Sequence, residues 1–174
     1  LGNMIKEHFG DGRKFGVEIR YLEENSPLGT AGVLANLKDE KINYPILVTN
    51  GDVITDIKYH DMINYAVSKE SDGLMAVRTE EWKNPFAVVK SNNNKLLGLV
   101  EKPIQRNQVN AGIYCVGQKL INLLNKGEYC DMPDLFVQGL SSDLELNIYP
   151  LHEYWLDVGR PEDYELANRK NALG

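Results

Sequence analysis

The chain has 174 residues, a formal net charge of −6 and an apolar share of 43%, which fits one domain with a sizeable core. The acidic balance argues against nonspecific nucleic-acid binding, because that requires a basic surface. No apolar stretch approaches membrane-spanning length, and the N-terminus lacks a signal-peptide pattern. We therefore expect neither nucleic acid nor membrane as a partner, and a cytoplasmic protein in which Cys115 and Cys130 are reduced thiols.

The first half of the sequence predicts alternating helices and strands. Residues 3–9 are typical of the end of a helix, and residues 15–22 alternate as a strand does. A helix is predicted to begin at Thr30 after the break at Pro27 and Gly29. The elements that follow are a strand over 46–49, a helix over 59–69 and a strand over 74–78.

The second half is richer in strand signals. Residues 86–90 and 95–100 flank a turn-forming cluster of Ser and Asn, which predicts a hairpin. Strands are then predicted over 109–116 and 146–151, helices over 120–124 and 132–140, and a last helix that opens at Pro161. This order indicates a single α/β domain over residues 1–174, a sandwich with an antiparallel patch added to its sheet.

Two acidic residues carry the main functional hypothesis. Asp52 follows the apolar run 46–49 and an Asn-Gly pair, so it is expected at the strand's carboxyl edge, where open α/β sheets bind ligands. Asp157 has apolar neighbours, a costly place for an unpaired carboxylate. If the two converge, they would hold a hard cation such as Mg²⁺. The structural alternatives are an ordinary turn at Asp52 and a salt bridge from Asp157 to Arg160.

Three shorter motifs also contain residues suited to ligand binding. The two glycines in residues 27–32 allow close approach to the main chain before a helix N-terminus. Glu101 and Lys102 end a strand, where they could meet a sugar hydroxyl and a phosphate. Asn110 and Gly112 place an amide beside a strand glycine, a sign of close approach. The structural alternatives are a turn, a solvated charge pair and a bulge.

In this order, the segments resemble the sugar-phosphate nucleotidyltransferases, which join a sugar 1-phosphate to a nucleoside triphosphate. The matching stretches are SPLGTAG (26–32), NGD (50–52), VEKP (100–103), NAGIY (110–114) and WLDVGRPEDY (155–164). Residues 127–136 and 152–155 resemble the mannose-1-phosphate guanylyltransferase-like branch of surface-polysaccharide pathways, and glucose-1-phosphate thymidylyltransferase-like enzymes are also similar. The resemblance implies a Rossmann-like, three-layer α/β sandwich with a mixed sheet, the nucleotidyltransferase fold of the glycosyltransferase-A-like type.

The resemblance also implies roles for individual residues. Asp52 and Asp157 would hold Mg²⁺, and Lys102 would join them as a catalytic residue. Residues implied for nucleotide binding are Leu28, Gly29, Thr30 and Gly51. Residues implied for sugar-phosphate binding are Ala87, Glu101, Lys102, Asn110 and Gly112. Ala87 stands where the family usually has a glycine, which alters the expected shape of the sugar pocket.

The chain begins inside a predicted helix, without the glycine-rich phosphate turn that opens nucleotide-binding α/β folds. The resemblance implies that the first β-α unit, which grips the triphosphate, lies upstream of Leu1. We therefore expect the chain alone to be inactive, and we expect it to self-associate as a homo-oligomer through an exposed sheet edge.

Two other functions remain open at this stage. One is a metal-dependent glycosyltransferase, although the sequence lacks the tight Asp-x-Asp pair of that class. The other is a regulatory or sugar-phosphate-binding subunit, which would have no need of the two aspartates. The sugar and the base are not determined by the sequence.

Overall fold

The computed structural model describes residues 2–40, 45–159 and 161–171. Its strands are β1 (Ile46–Thr49), β2 (Val53–Thr55), β3 (Gly73–Lys83), β4 (Val88–Asn92), β5 (Lys95–Val100), β6 (Ile104–Val116), β7 (Leu146–Pro150) and β8 (Trp155–Asp157). Its α-helices are α1 (Gly2–Phe9), α2 (Tyr59–Ser68), α3 (Gln118–Ile121), α4 (Met132–Ser141) and α5 (Pro161–Asn171), with 3₁₀ helices at Arg13–Phe15 and Gly32–Leu37.

The central sheet has four strands in the order β1-β6-β3-β7. Strand β6 pairs antiparallel with both β1 and β3, whereas β7 runs parallel to β3. The sheet is therefore mixed, as predicted. Two smaller sheets accompany it, the ribbon β2-β8 and the hairpin β4-β5.

Helices cover both faces of this sheet. Successive residues of β6 point to opposite faces, so Tyr114 belongs to a core with the 3₁₀ helix Gly32–Leu37, α3 and α4. Its neighbour Ile113 belongs to a second core with α2, where Met62 is fully buried. Two cores on the two faces of one sheet make three layers, which confirms the predicted α/β sandwich.

The prediction of a strand over residues 15–22 is wrong. Residues 13–15 form a 3₁₀ turn, and residues 18–24 have no regular secondary structure. Gly12 and Gly16 flank that turn with φ of 84° and 74°, so the chain reverses where the strand should begin. Val17 is 53% exposed, so the apolar alternation in this segment does not mark a buried face.

Strands β3 and β6 are longer than predicted because they pair with each other as far as Lys83 and Ile104. The predicted hairpin is confirmed as β4-β5, and its turn residues Asn93 and Asn94 both have positive φ, as in the tight turns typical of hairpins. The short strands β2 and β8 were not predicted.

Both cysteines are free and buried. Burial raises the pKa of the Cys115 thiol to about 11, so it stays protonated and unreactive at neutral pH. Among the helices of the described ranges, none combines the length and apolar character needed to span a bilayer.

Candidate active site

Asp52 and Asp157 are brought together by the β2-β8 ribbon. The strands are antiparallel with Val53 opposite Asp157, and the N–H of Val158 donates to the Asp52 carbonyl at 2.8 Å. A Cβ placed on Gly159 would lie 3.0 Å from Asp157 Oδ1 and 4.0 Å from Asp52 Oδ2. The two carboxylates thus flank one point in space, while the binding of Mg²⁺ there stays a prediction.

The chemistry of this pair fits a hard divalent cation. Both side chains are exposed, and Asp157 Oδ1 accepts a hydrogen bond from the Gly159 N–H at 2.9 Å. Over residues 2–40, 45–159 and 161–171, neither carboxylate has an ion-pair partner, and no third acidic, His or Cys side chain completes a metal cluster. Two carboxylates with room for phosphate oxygens and water match the way proteins hold Mg²⁺. The alternative partner, Arg160, lies outside the described residues.

A cleft of about 490 Å³ adjoins Asp52. Its lining residues are Thr30, Val48, Thr49, Asn50, Gly51 and Asp52. It therefore runs from the loop 28–32, predicted to bind the nucleotide, to the predicted metal ligand at the carboxyl end of β1. This is the position at which open α/β sheets bind ligands.

The loop 28–32 is held by a segment about a hundred residues away. The N–H groups of Ala31 and Gly32 donate to the Cys130 carbonyl at 2.9 and 3.1 Å. Gly29 has φ +75°, and a Cβ there would lie 2.6 Å from the same carbonyl oxygen. The structure thus gives a packing reason for glycine at position 29, where the sequence suggested the approach of a ligand.

A second glycine shapes β6 where it passes the end of β1. Tyr114 lies opposite Met75 but Asn110 lies opposite Val77, so β6 bulges between them around Gly112, whose φ is +71°. The bulge is stabilised by Asn110, whose Oδ1 accepts the Gly112 N–H at 3.0 Å and whose amide donates to the Tyr114 hydroxyl at 2.6 Å. Burial is the main cause of the raised pKa of that tyrosine.

The bulge also contacts the residue that precedes Gly51. The N–H of Asn50 donates to the Gly112 carbonyl at 2.9 Å. Asn110 and Gly112, predicted to bind the sugar, are therefore connected to the cleft that holds Asp52.

The other predicted sugar residues form a separate group. Val88 pairs with Val100, so Ala87 and Glu101 flank the base of the β4-β5 hairpin, followed by Lys102 with φ 41°. Ile104 begins β6 six residues before Asn110, a separation of about 20 Å in an extended strand. The structure thus groups these residues with one another, at the end of β6 opposite to the bulge.

Two site features were missed by reasoning from the sequence. The Trp155 indole N–H donates to the Ala111 carbonyl at 2.8 Å, which joins β8 to the bulge in β6. Asp131 accepts two hydrogen bonds from Thr30 in the loop 28–32. Asp131 precedes Met-Pro at a helix start, which signals an N-cap but not a partner in a distant loop.

The chain is thus an α/β protein with two acidic side chains beside an open cleft at the end of a strand. Such a site suits a polar ligand. Residues 2–172 match the family described as Nucleotidyl transferase. The chain belongs to the nucleotidyl transferase family.

Curated relatives are similar over most of this chain. It is 31% identical over 157 residues to a protein named mannose-1-phosphate guanylyltransferase catalytic subunit beta from Dictyostelium discoideum, with 87% of this chain and 44% of that protein covered. It is 28% identical to a mannose-1-phosphate guanylyltransferase from Mycobacterium tuberculosis, with 92% and 46% covered. The chain thus spans less than half the length of these relatives.

Solved structures share the fold. A putative glucose-1-phosphate thymidylyltransferase from Bacillus anthracis, in complex with a sucrose, matches with a TM-score of 0.72 and 20% identity over 97% of this chain and 71% of that one. HddC from Yersinia pseudotuberculosis complexed with GMP-PN matches with a TM-score of 0.66 and 21% identity over 97% and 73% of the two chains. At these identities the likeness shows the fold alone.

The bulge yields a stability prediction. We expect Gly112→Ala to lower the free energy of unfolding by about 1–3 kcal/mol, because a side chain is strained at positive φ. The new Cβ would also lie 2.8 Å from Asn50 Nδ2. Gly98→Ala in β5 is the control, since no atom lies within 4 Å of its Cβ position, and should change stability by about 0.5 kcal/mol or less. Equal urea midpoints for the two variants would contradict the strained bulge.

Proposed function

We propose that the protein is a sugar-phosphate nucleotidyltransferase, which forms a nucleotide sugar from a sugar 1-phosphate and a nucleoside triphosphate and releases pyrophosphate. The observation that carries the proposal is the pair of carboxylates at Asp52 and Asp157 beside the cleft lined by Thr30. Membership of the nucleotidyl transferase family and the names of the relatives support it.

In the proposed reaction, an oxygen of the sugar phosphate attacks the α-phosphorus in line, and the bond from that phosphorus to the bridging oxygen of pyrophosphate breaks. No general base is needed, because the attacking phosphate is already ionised. The protein contributes positioning and charge neutralisation. Asp52 and Asp157 would hold Mg²⁺, which would neutralise negative charge on the triphosphate.

We assign the nucleotide to the cleft beside β1, bound by the loop residues Leu28, Gly29 and Thr30 and by Gly51. The sugar phosphate is assigned to two groups, Asn110 and Gly112 in the bulge, and Ala87, Glu101 and Lys102 at the hairpin. Lys102 would place a positive charge on a phosphate.

The activities for which the relatives are named indicate which substrates should be tested first. Mannose 1-phosphate with GTP comes first, because mannose-1-phosphate guanylyltransferases match this chain at 28–31% identity. Glucose 1-phosphate with dTTP comes second. The proposal extends to one domain over residues 1–174 in a cytoplasmic protein of polysaccharide biosynthesis, and the two free cysteines agree with a reducing compartment.

Charge-neutral substitutions of the acidic pair test the proposal. We expect Asp52→Asn and Asp157→Asn each to lower Mg²⁺-dependent kcat by about 100-fold or more, because charge stabilisation in the transition state is lost. The assay is pyrophosphate release, run on this chain and on a longer protein containing it if the gene encodes one. Asp56→Asn removes the same charge four residues along and should keep the activity of the parent.

Other outcomes of this assay would favour the alternatives. Binding of mannose 1-phosphate that does not respond to Mg²⁺, with no turnover in any form of the protein, would favour a regulatory subunit. Transfer of sugar from GDP-mannose without release of pyrophosphate from GTP would indicate a glycosyltransferase. Full activity in both Asn variants would overturn the assignment of Asp52 and Asp157.

We also propose that the protein forms a homo-oligomer through the outer edge of β1. Within the described residues, β1 pairs with β6 alone, so its other edge carries backbone groups free to pair with another strand. Size-exclusion chromatography should show an apparent mass that rises with concentration. The Asn50 N–H bonds to β6, so by the alternation of an antiparallel pair the Thr49 N–H faces the outer edge, and Thr49→Pro should lower the apparent mass. A monomer at all concentrations would contradict this.

A further inference from the structure

The contact between Asp131 and Thr30 joins the start of α4 to the loop 28–32. Asp131 Oδ1 accepts both the backbone N–H of Thr30 at 3.0 Å and its hydroxyl at 3.2 Å. The other carboxylate oxygen accepts the Tyr129 hydroxyl at 2.8 Å. All three donors therefore point to one side chain, which fixes its orientation toward the loop.

The hydrogen bonds of the Asp131 side chain are unusual for a residue at the start of a helix. It is the N-cap residue of α4, and an N-cap aspartate commonly accepts an N–H from the first turn of its own helix. Its side chain makes no such bond. Instead, the Thr30 hydroxyl accepts the Met132 N–H at 2.8 Å. The loop and the helix thus exchange side-chain contacts, and each depends on the other for its conformation.

The loop has little freedom once this exchange is made. The Cys130 N–H donates to the Leu28 carbonyl at 2.9 Å, and the Cys130 carbonyl accepts Ala31 and Gly32. A Cβ at Gly29 would lie 2.8 Å from Asp131 Oδ1, so the carboxylate lies directly against the turn. The Thr30 N–H, with the Tyr129 hydroxyl, lowers the pKa of Asp131, which is therefore ionised at neutral pH.

We infer that Asp131 is a positioning residue that fixes the loop 28–32 in the conformation that binds the nucleotide, and so sets nucleotide affinity without touching the nucleotide. The inference rests on the proposed function, because it takes that loop as the nucleotide site. It assigns a role to a residue that the sequence motifs do not include.

Three substitutions separate geometry from charge. Asp131→Asn keeps an acceptor oxygen for Thr30 and loses the charge together with the oxygen that accepts the Tyr129 hydroxyl, so it should bind nucleotide within about threefold of the parent. Asp131→Ala removes the acceptor and should weaken binding by about tenfold or more, the size expected for lost hydrogen bonds to a charged group. Asp131→Glu keeps the charge but moves it by one methylene, and it should also weaken binding. Tyr129→Phe is the control, since it leaves both Thr30 contacts intact.

The measurements are the Kd of Mg²⁺–GTP by calorimetry, the Kd of mannose 1-phosphate, and hydrogen exchange of the backbone amides of residues 30–32. A positioning role predicts faster loop exchange and weaker GTP binding in Asp131→Ala, with mannose 1-phosphate binding unchanged. A purely structural role would lower the thermal midpoint and leave the Kd of GTP in the folded fraction unchanged. If Asp131→Ala does not fold, Asp131→Glu serves in its place.

The outcomes distinguish this inference from the proposed function. If the parent binds none of the nucleoside triphosphates, neither as this chain nor within a longer protein that the gene encodes, the proposed function fails and this inference fails with it. If the parent binds GTP and Asp131→Ala or Asp131→Glu binds it equally well, only the role of Asp131 is overturned. Loss of binding in Asp131→Asn equal to that in Asp131→Ala would also overturn it, because charge and not the contact with Thr30 would then matter.

Discussion

The pairing of two three-residue strands determines where the candidate site lies. Strands β2 and β8 are a hundred residues apart in sequence, and their antiparallel register places Asp157 opposite Val53. The backbone hydrogen bonds of this ribbon therefore place the Asp52 and Asp157 side chains beside one another, and no direct contact between the two acids is required. Since like charges repel at short range, such a pair is stable only where solvent or a cation screens it. Both side chains are exposed, so solvent screens the repulsion, and bound Mg²⁺ would screen it further.

The other predicted binding elements are also held by distant parts of the chain. The loop 28–32 depends on residues 130–132, and the bulge at Gly112 depends on Asn50 and on the Trp155 contact with Ala111. Polar contacts of this kind are cooperative, because each one orients the groups that make the next. The cleft is lined by Thr30 and residues 48–52, and these two segments are held in turn by three others, which are residues 130–132, the bulge at Gly112 and Trp155.

Local signals in the sequence were enough for much of the fold. Strand β1 and the helix from Pro161 have strong boundaries, an Asn-Gly turn and a first-turn proline, and both were predicted correctly. The strand over 15–22 was not, because alternation alone cannot show whether a partner strand exists. Strands β2 and β8 are too short for any periodicity. Convergence of the acids was inferred from chemistry and family resemblance, whereas the role of Asp131 depends on a contact that only the fold creates.

The central claim is that Asp52 and Asp157 share one divalent cation beneath a polyphosphate. The most direct test is anomalous diffraction from crystals of the protein grown with Mn²⁺ and a non-hydrolysable GTP analogue. The account predicts one manganese peak within about 2.5 Å of a carboxylate oxygen from each aspartate, with further ligands from the phosphates. A manganese ion bound to the nucleotide but contacting neither aspartate, or only one of them, would contradict it.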